Sequence, residues 1–216
     1  MNTFTKANVQ TLNNWIAENS ADSNEADVTQ ELLNRDSVKE LMDNFDTVKK
    51  EIEDCLSHID PIKGSPYFIE DFVDDKWYKY FIQWHGPISD LSYKLFPKTL
   101  QIYNKYSEMT AMLVSILKPG SVIGLHNGPW KGHLRGLLGI DTPNSSDCFI
   151  EIDFKKYIFE DKKLIGFDDT YMHSAANNTE KDRIVLFFNV ERKMNTPGNQ
   201  IILNKWNNLG EQNGLS

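Results

Sequence analysis

The chain has 216 residues, 40% hydrophobic and 25% charged, which is enough for one domain with a full core. Its net charge of −8 excludes a surface built for nucleic acid or an anionic membrane, since both need a basic footprint. No apolar run approaches the roughly 20 residues that span a bilayer, and two cysteines, Cys55 and Cys148, make no disulfide framework. The N-terminus lacks the basic-then-apolar order of a secretory leader, so a cytoplasmic location is expected.

Val9, Leu12, Trp15 and Ile16 follow a helical spacing that the stretch from Asn19 to Asn24 breaks. Val38, Leu41, Met42, Phe45, Val48, Ile52, Cys55, Leu56 and Ile59 then mark one face of a single long helix. Ser37 with Glu40 reads as its capping box, and Pro61 and Gly64 end it. This helix is expected to lie across the outside of the main domain. A dimer or partner surface on the 37–59 helix is the alternative.

From Pro66 the pattern turns to strands. Tyr67–Val73 and Trp77–Trp84 are aromatic-rich and short, His85-Gly86-Pro87 reads as a turn, and Leu95–Tyr106 reads as a short helix with Pro97 near its start. Apolar pieces follow at Met109–Leu117, Ser121–His126, Leu134–Ile140, Cys148–Asp153, Leu164–Phe167 and Ile184–Val190. Turn-forming residues separate them, which predicts a sandwich or small barrel. The Asn-rich stretch after Met194 is expected to be a surface segment or partly disordered.

The residues that carry chemistry lie between Ser115 and Arg183. His173 and Arg183 are symmetric about Asn178, so a hairpin in that register would set them opposite each other on one face. An imidazole there can bind a metal, and a guanidinium can grip a carboxylate with two parallel hydrogen bonds. His126 supplies a second imidazole. Two positions on, where alternation returns to the same face, stands Gly128 rather than the carboxylate of a two-histidine, one-carboxylate iron site.

These pieces resemble the aspartyl/asparaginyl β-hydroxylase family of iron(II)- and 2-oxoglutarate-dependent dioxygenases. The matching residues are Phe96-Pro-Lys-Thr99, Ser115-Ile-Leu-Lys-Pro-Gly120, His126-Asn-Gly-Pro129, Leu134-Arg135, Leu138-Gly139, Phe167-Asp-Asp169, His173 and Arg183. The resemblance covers roughly Trp77 to Met194. It implies a mainly β fold, a double-stranded β-helix (cupin-like jelly roll), here with an N-terminal helical extension. The division expected is an extension at 1–64, the oxygenase core at 65–194 and a tail at 195–216.

By the same resemblance His126 and His173 are the iron ligands. Arg183 and Ser115 hold 2-oxoglutarate, and Arg135 faces the cosubstrate or substrate carboxylates. Lys131 and His133 are candidate substrate contacts, and Asp168 and Asp169 order the turn before His173 or supply a carboxylate. The aspartyl and asparaginyl enzymes themselves have Gly at position 128, whereas relatives acting on lipid A carry Asp. Two departures concern the substrate: Leu137 stands where the family has a histidine, and His133 where the aspartyl enzymes have an arginine. The activity implied is hydroxylation of an aspartate-like amino acid, free, peptide-borne or carrier-bound, with Fe(II), 2-oxoglutarate and O2, releasing succinate and CO2. An anionic substrate would draw its positive surroundings from Arg135, Lys131 and His133. Two alternatives are a halogenase using the position left open by Gly128 and a non-catalytic β-helix binding module.

Overall fold

Nine residues, Met109–Leu117, form a strand in which all but Thr110 are buried. A strand covered on both faces reads as a continuous apolar run rather than an alternation, and this one lies between two hydrophobic cores. The structure is a computed structural model that describes residues 6–58, 62–63, 76–84 and 87–212. The expected strand at 67–73, with Pro61, Gly64, His85 and Gly86, lies outside the described residues.

In chain order the elements are α1 (Lys6–Asn19), α2 (Thr29–Leu33), α3 (Asp36–Asp43), α4 (Phe45–His58), β1 (Ile62–Lys63) and β2 (Trp77–Gln83). Then come α5 (Asp90–Leu95), α6 (Pro97–Lys105), β3 (Met109–Leu117), β4 (Ser121–His126), β5 (His133–Asp141) and β6 (Cys148–Ile152). The chain continues through β7 (Lys155–Ile158), β8 (Leu164–Phe167), β9 (His173–Asn177), β10 (Arg183–Glu191) and α7 (Pro197–Gln212).

Among the described residues the strands form two antiparallel sheets, ordered β1-β2-β3-β10-β5-β8 and β4-β9-β6-β7. Facing each other, they make the jelly roll expected from the sequence. The interior between them is closed by Leu113, Leu117, Val185 and Phe187 of the large sheet against Ile123, Cys148, Ile150 and Ala175 of the small one. The outer face of the large sheet (Met112, Val114, Ile116, Leu186, Phe188) packs against Leu41, Val48 and Ile52 of α3 and α4 and Leu100 of α6. The apolar face of α3 and α4 is therefore buried inside the chain.

Four expectations need correction. The long helix is broken at Asn44 (φ −103°, ψ 18°) into α3 and α4, where the Asn44 side-chain amide donates to Glu40 O at 2.8 Å and competes with the helical ladder. Ser37 and Glu40 form no capping box: Arg35 is the N-cap, Ser37 Oγ donates to Glu108 at 2.6 Å, and Glu40 accepts from Tyr106 at 2.7 Å. The segment after Met194 forms α7, which places Leu203 against Val9, Ile16 and Trp130 in a third small core. Lastly, His173 and Arg183 do not form a hairpin pair. β9 pairs with β4 and β6, while β10 pairs with β3 and β5, so residues 178–182 carry the chain from one sheet to the other. Asn177 holds that corner, its amide donating to Leu117 O at 2.9 Å and Lys181 O at 2.8 Å.

Candidate functional site

His126 ends β4 and His173 begins β9, and the two are direct partners across the strands. Their ring centroids lie 4.2 Å apart. In each, Nδ1 sits 2.8 Å from the carbonyl oxygen two residues earlier, Gly124 for His126 and Tyr171 for His173. Donation from Nδ1–H to a carbonyl fixes the tautomer that leaves the lone pair on Nε2, the arrangement by which histidines are oriented for a metal. Burial pulls the His173 pKa down to about 4 against the favourable charge of Asp169, so that ring is neutral near pH 7.

The carboxylate missing at position 128 is replaced in space from the turn after β8. Gly128 N donates to Asp169 O at 2.7 Å, and a Cβ on residue 128 would stand 1.6 Å from Asp169 Oδ2. Glycine is thus needed to let Asp169 in. The Asp169 carboxylate lies 3.5 Å from His173 Nε2 and is held from behind by the Arg135 guanidinium. Arg135 is positioned by Asn189, which accepts from Nε at 3.3 Å, and by the Phe187 ring at 4.4 Å. Among the described residues no group of three His, Cys, Asp or Glu side chains meets the geometry of a complete protein-built metal site.

Asp168 has a different task. Fully buried, it takes Lys131 Nζ at 2.5 Å and Arg192 Nη2 at 2.6 Å on one oxygen. Thr170 donates to the other from both its backbone N (3.0 Å) and its hydroxyl (2.7 Å). Arg192 goes on to Lys131 O at 2.9 Å and Ser23 O at 2.7 Å, and Asp168 N donates to Ala26 O at 3.0 Å. The N-terminal segment braces the turn further through Tyr171 Oη on Asn24 O at 2.6 Å. β8 lies close enough to α2 that a Cβ on Gly166 would meet Thr29 Cα at 2.9 Å. The extension is therefore built into the support of His173. Arg192, which this network needs most, carries no motif; its position one residue past β10 is the only sequence signal.

Arg183 opens β10 on the interior face, 2% exposed. Among the described residues it makes one hydrogen bond, Nη2 to Ser115 Oγ at 2.9 Å; its Nε has none, and its Cζ lies 4.8 Å from the Phe159 ring. Burial pulls the guanidinium down to about 10. Leaving a buried donor unmade costs about 1–3 kcal/mol, more when it is charged, so an anion bound there would relieve that cost.

The expected residues thus fall into three groups. His173 and Arg135 meet at Asp169, with His126 against His173; Ser115 and Arg183 meet each other; Lys131 is taken by Asp168. His133, buried beside Arg135, has no hydrogen-bond partner for Nε2 among the described residues, and burial together with the Arg135 charge lowers its pKa to about 4. Leu137, where the resemblance calls for a histidine, is an ordinary member of the interior core.

The sequence profile described as Aspartyl/Asparaginyl beta-hydroxylase matches residues 42–193. An ornithine lipid ester-linked acyl 2-hydroxylase of Rhizobium tropici is 33% identical over 126 residues, 58% of this chain and 45% of that protein. The aspartyl/asparaginyl beta-hydroxylase of Mus musculus is 26% identical over 167 residues, 74% of this chain and 22% of that protein. The chain therefore spans less than half the length of either relative. Among solved structures, HygX from Streptomyces hygroscopicus, with nickel and 2-oxoglutarate bound, aligns with TM-score 0.45 and 9% identity over 67% of this chain and 78% of that one. A Pseudomonas putida prolyl-4-hydroxylase aligns with TM-score 0.43 and 11% identity over 69% of this chain and 88% of that one.

Proposed function

The chain belongs to the aspartyl/asparaginyl β-hydroxylase family, and from that premise we propose that it is an iron(II)- and 2-oxoglutarate-dependent hydroxylase. In this reading His126 and His173 hold the metal, and Arg183 with Ser115 holds the far carboxylate of the 2-oxoacid. The observation that carries it is the pairing of two pre-oriented imidazoles at one end of the interior with a buried, under-bonded guanidinium further in. The donor set fits: neutral imidazoles suit divalent iron, and Asp169 adds one negative charge beside them. When bound, iron with 2-oxoglutarate and O2 supplies the oxidant for C–H hydroxylation, with succinate and CO2 as by-products.

The protein's own contribution is positional. The carbonyls of Gly124 and Tyr171 set the two rings. Arg135 holds Asp169 against Gly128, and the Asp168 network fixes the turn that carries Asp169 and His173. Phe167, Ile152 and Phe187 belong to the apolar interior on which this site is built. The Asp169 carboxylate, which a Cβ at position 128 would meet at 1.6 Å, supports hydroxylation over the halogenase alternative.

The substrate expected from the sequence, an aspartate-like amino acid, requires Arg135 to exchange Asp169 for a substrate carboxylate. A second reading is an acyl chain, the kind of group that the R. tropici relative is named for hydroxylating. It is favoured by a specific observation: Arg135 and Lys131 are both paired internally, while Leu125 and Met172, neighbours of the two histidines, are 58% and 42% exposed. Succinate release from 2-oxoglutarate under air, with iron(II) and either aspartyl peptides or acyl esters, tests both readings. His173→Ala is expected to abolish it. Turnover that survives this variant would refute the site.

A further inference from the structure

Lys79 is used by none of the roles above, yet it lies in the interior. It stands in β2 opposite Ser115 and is 1% exposed. Trp77, two residues earlier on the same face, donates its indole N–H to Ser115 Oγ at 2.8 Å, and Lys79 Nζ sits 3.4 Å from the centre of a Trp77 ring. From β10, Arg183 Nη2 donates to the same Ser115 oxygen at 2.9 Å. With two donors already on that oxygen, the Ser115 hydroxyl proton is directed away from both, toward a further acceptor. Lys79 belongs to the strand on one side of Ser115, β2, and Arg183 to the strand on the other, β10.

On the cosubstrate reading given above, we propose that Lys79 is a second cationic contact for the distal carboxylate of 2-oxoglutarate, ranking dicarboxylic over monocarboxylic 2-oxoacids. Arg183 offers a planar fork and Lys79 a compact point charge, so the two can share one carboxylate from different sides. Burial holds the Lys79 pKa at about 7 before the anion arrives. A carboxylate beside it favours the charged form, so binding above neutral pH draws a proton onto it. The other titratable groups around this interior keep their state at pH 8: Arg183 at about 10 stays charged, the Cys148 thiol at about 11 stays protonated, and His173 at about 4 stays neutral.

The test is calorimetric titration of the full chain, loaded with Mn(II) and free of oxygen, with 2-oxoglutarate and with pyruvate, which lacks the second carboxylate. Lys79→Met is expected to weaken 2-oxoglutarate at least tenfold and to leave pyruvate within twofold. In the wild type at pH 8, the dependence of binding enthalpy on buffer should report uptake of close to one proton, absent in the variant. If Arg183→Met weakens 2-oxoglutarate but Lys79→Met does not, the Lys79 proposal fails while the function stands. If the wild type binds no 2-oxoglutarate, both fail. Should Lys79→Met not fold, the wild-type measurement decides alone, and no proton uptake overturns the proposal.

Discussion

The two ends of the jelly-roll interior handle charge in opposite ways. Around the histidines each buried cation is matched: Arg135 by Asp169, and Lys131 and Arg192 by Asp168. At the other end Arg183 has a single hydroxyl as hydrogen-bond partner among the described residues, and its Nε has none. A balanced buried network is complete in itself and serves to hold its members in place. An unbalanced buried cation destabilises the fold until something anionic arrives, and so reads as a ligand site. The difference predicts that mutations at one end are felt in stability and at the other in binding.

The largest effect is expected at the balanced end. Asp168→Ala strands Lys131 and Arg192 without their common counter-charge, and breaking a buried pair from one side costs about 3–5 kcal/mol. For a chain of this size that lowers the midpoint of thermal unfolding by roughly 10 °C. A shift of only a degree or two would mean that the network is not what holds the turn. Arg183→Met is the mirror experiment. It removes an unpaired buried charge, so the melting temperature should hold or rise, while 2-oxoglutarate affinity falls about 100-fold, or about 3 kcal/mol, through loss of a charged bidentate partner. A large loss of stability with affinity intact would reverse the assignment of the two ends.

Gly128 sharpens the comparison within the balanced end. Gly128→Asp pushes a second carboxylate into the space that Asp169 fills, and overpacking of this kind costs typically about 1–3 kcal/mol. Combining it with Asp169→Gly moves the single carboxylate from one strand end to the other and should recover much of the loss. A double variant no better than the sum of the single changes would show that the two positions do not share one volume.

Much of this was legible in the sequence, and what was not has physical reasons. The strands Met109–Leu117, Ser121–His126 and Leu164–Phe167 coincide with the apolar runs, because proline, glycine or acidic turn residues bound each one. His126, His173 and Arg183 stand out as candidates because their chemistry is unusual in apolar strands. The sheet that each strand joins was not legible: symmetry about Asn178 fits a hairpin, but residues 178–182 are enough to cross between sheets. Nor was the fate of the charges. Lys131 reads as a substrate contact until Asp168, 37 positions away, is placed against it. A charge in a sequence has no visible partner; only the fold supplies one.

The smallest effect concerns His133, whose Nε2 has no hydrogen-bond partner among the described residues. Its folded pKa of about 4 lies below the ordinary 6.5, because burial and Arg135 both disfavour the charged ring. The unfolded chain therefore takes up the proton first as the solution is acidified. The stabilisation this residue provides is complete above pH 6.5 and is lost as the pH falls through that window toward 4. By pH 5 the loss is about 1–2 kcal/mol, a few degrees of melting temperature, superimposed on the general acid sensitivity of a carboxylate-rich protein. His133→Leu should flatten the melting curve's pH dependence between 6.5 and 5 and leave the plateau above pH 7 nearly unchanged. An equal slope in wild type and variant would mean that this imidazole meets solvent or a hydrogen-bond partner in the folded state, and that this end of the interior is less dry than its neighbours make it.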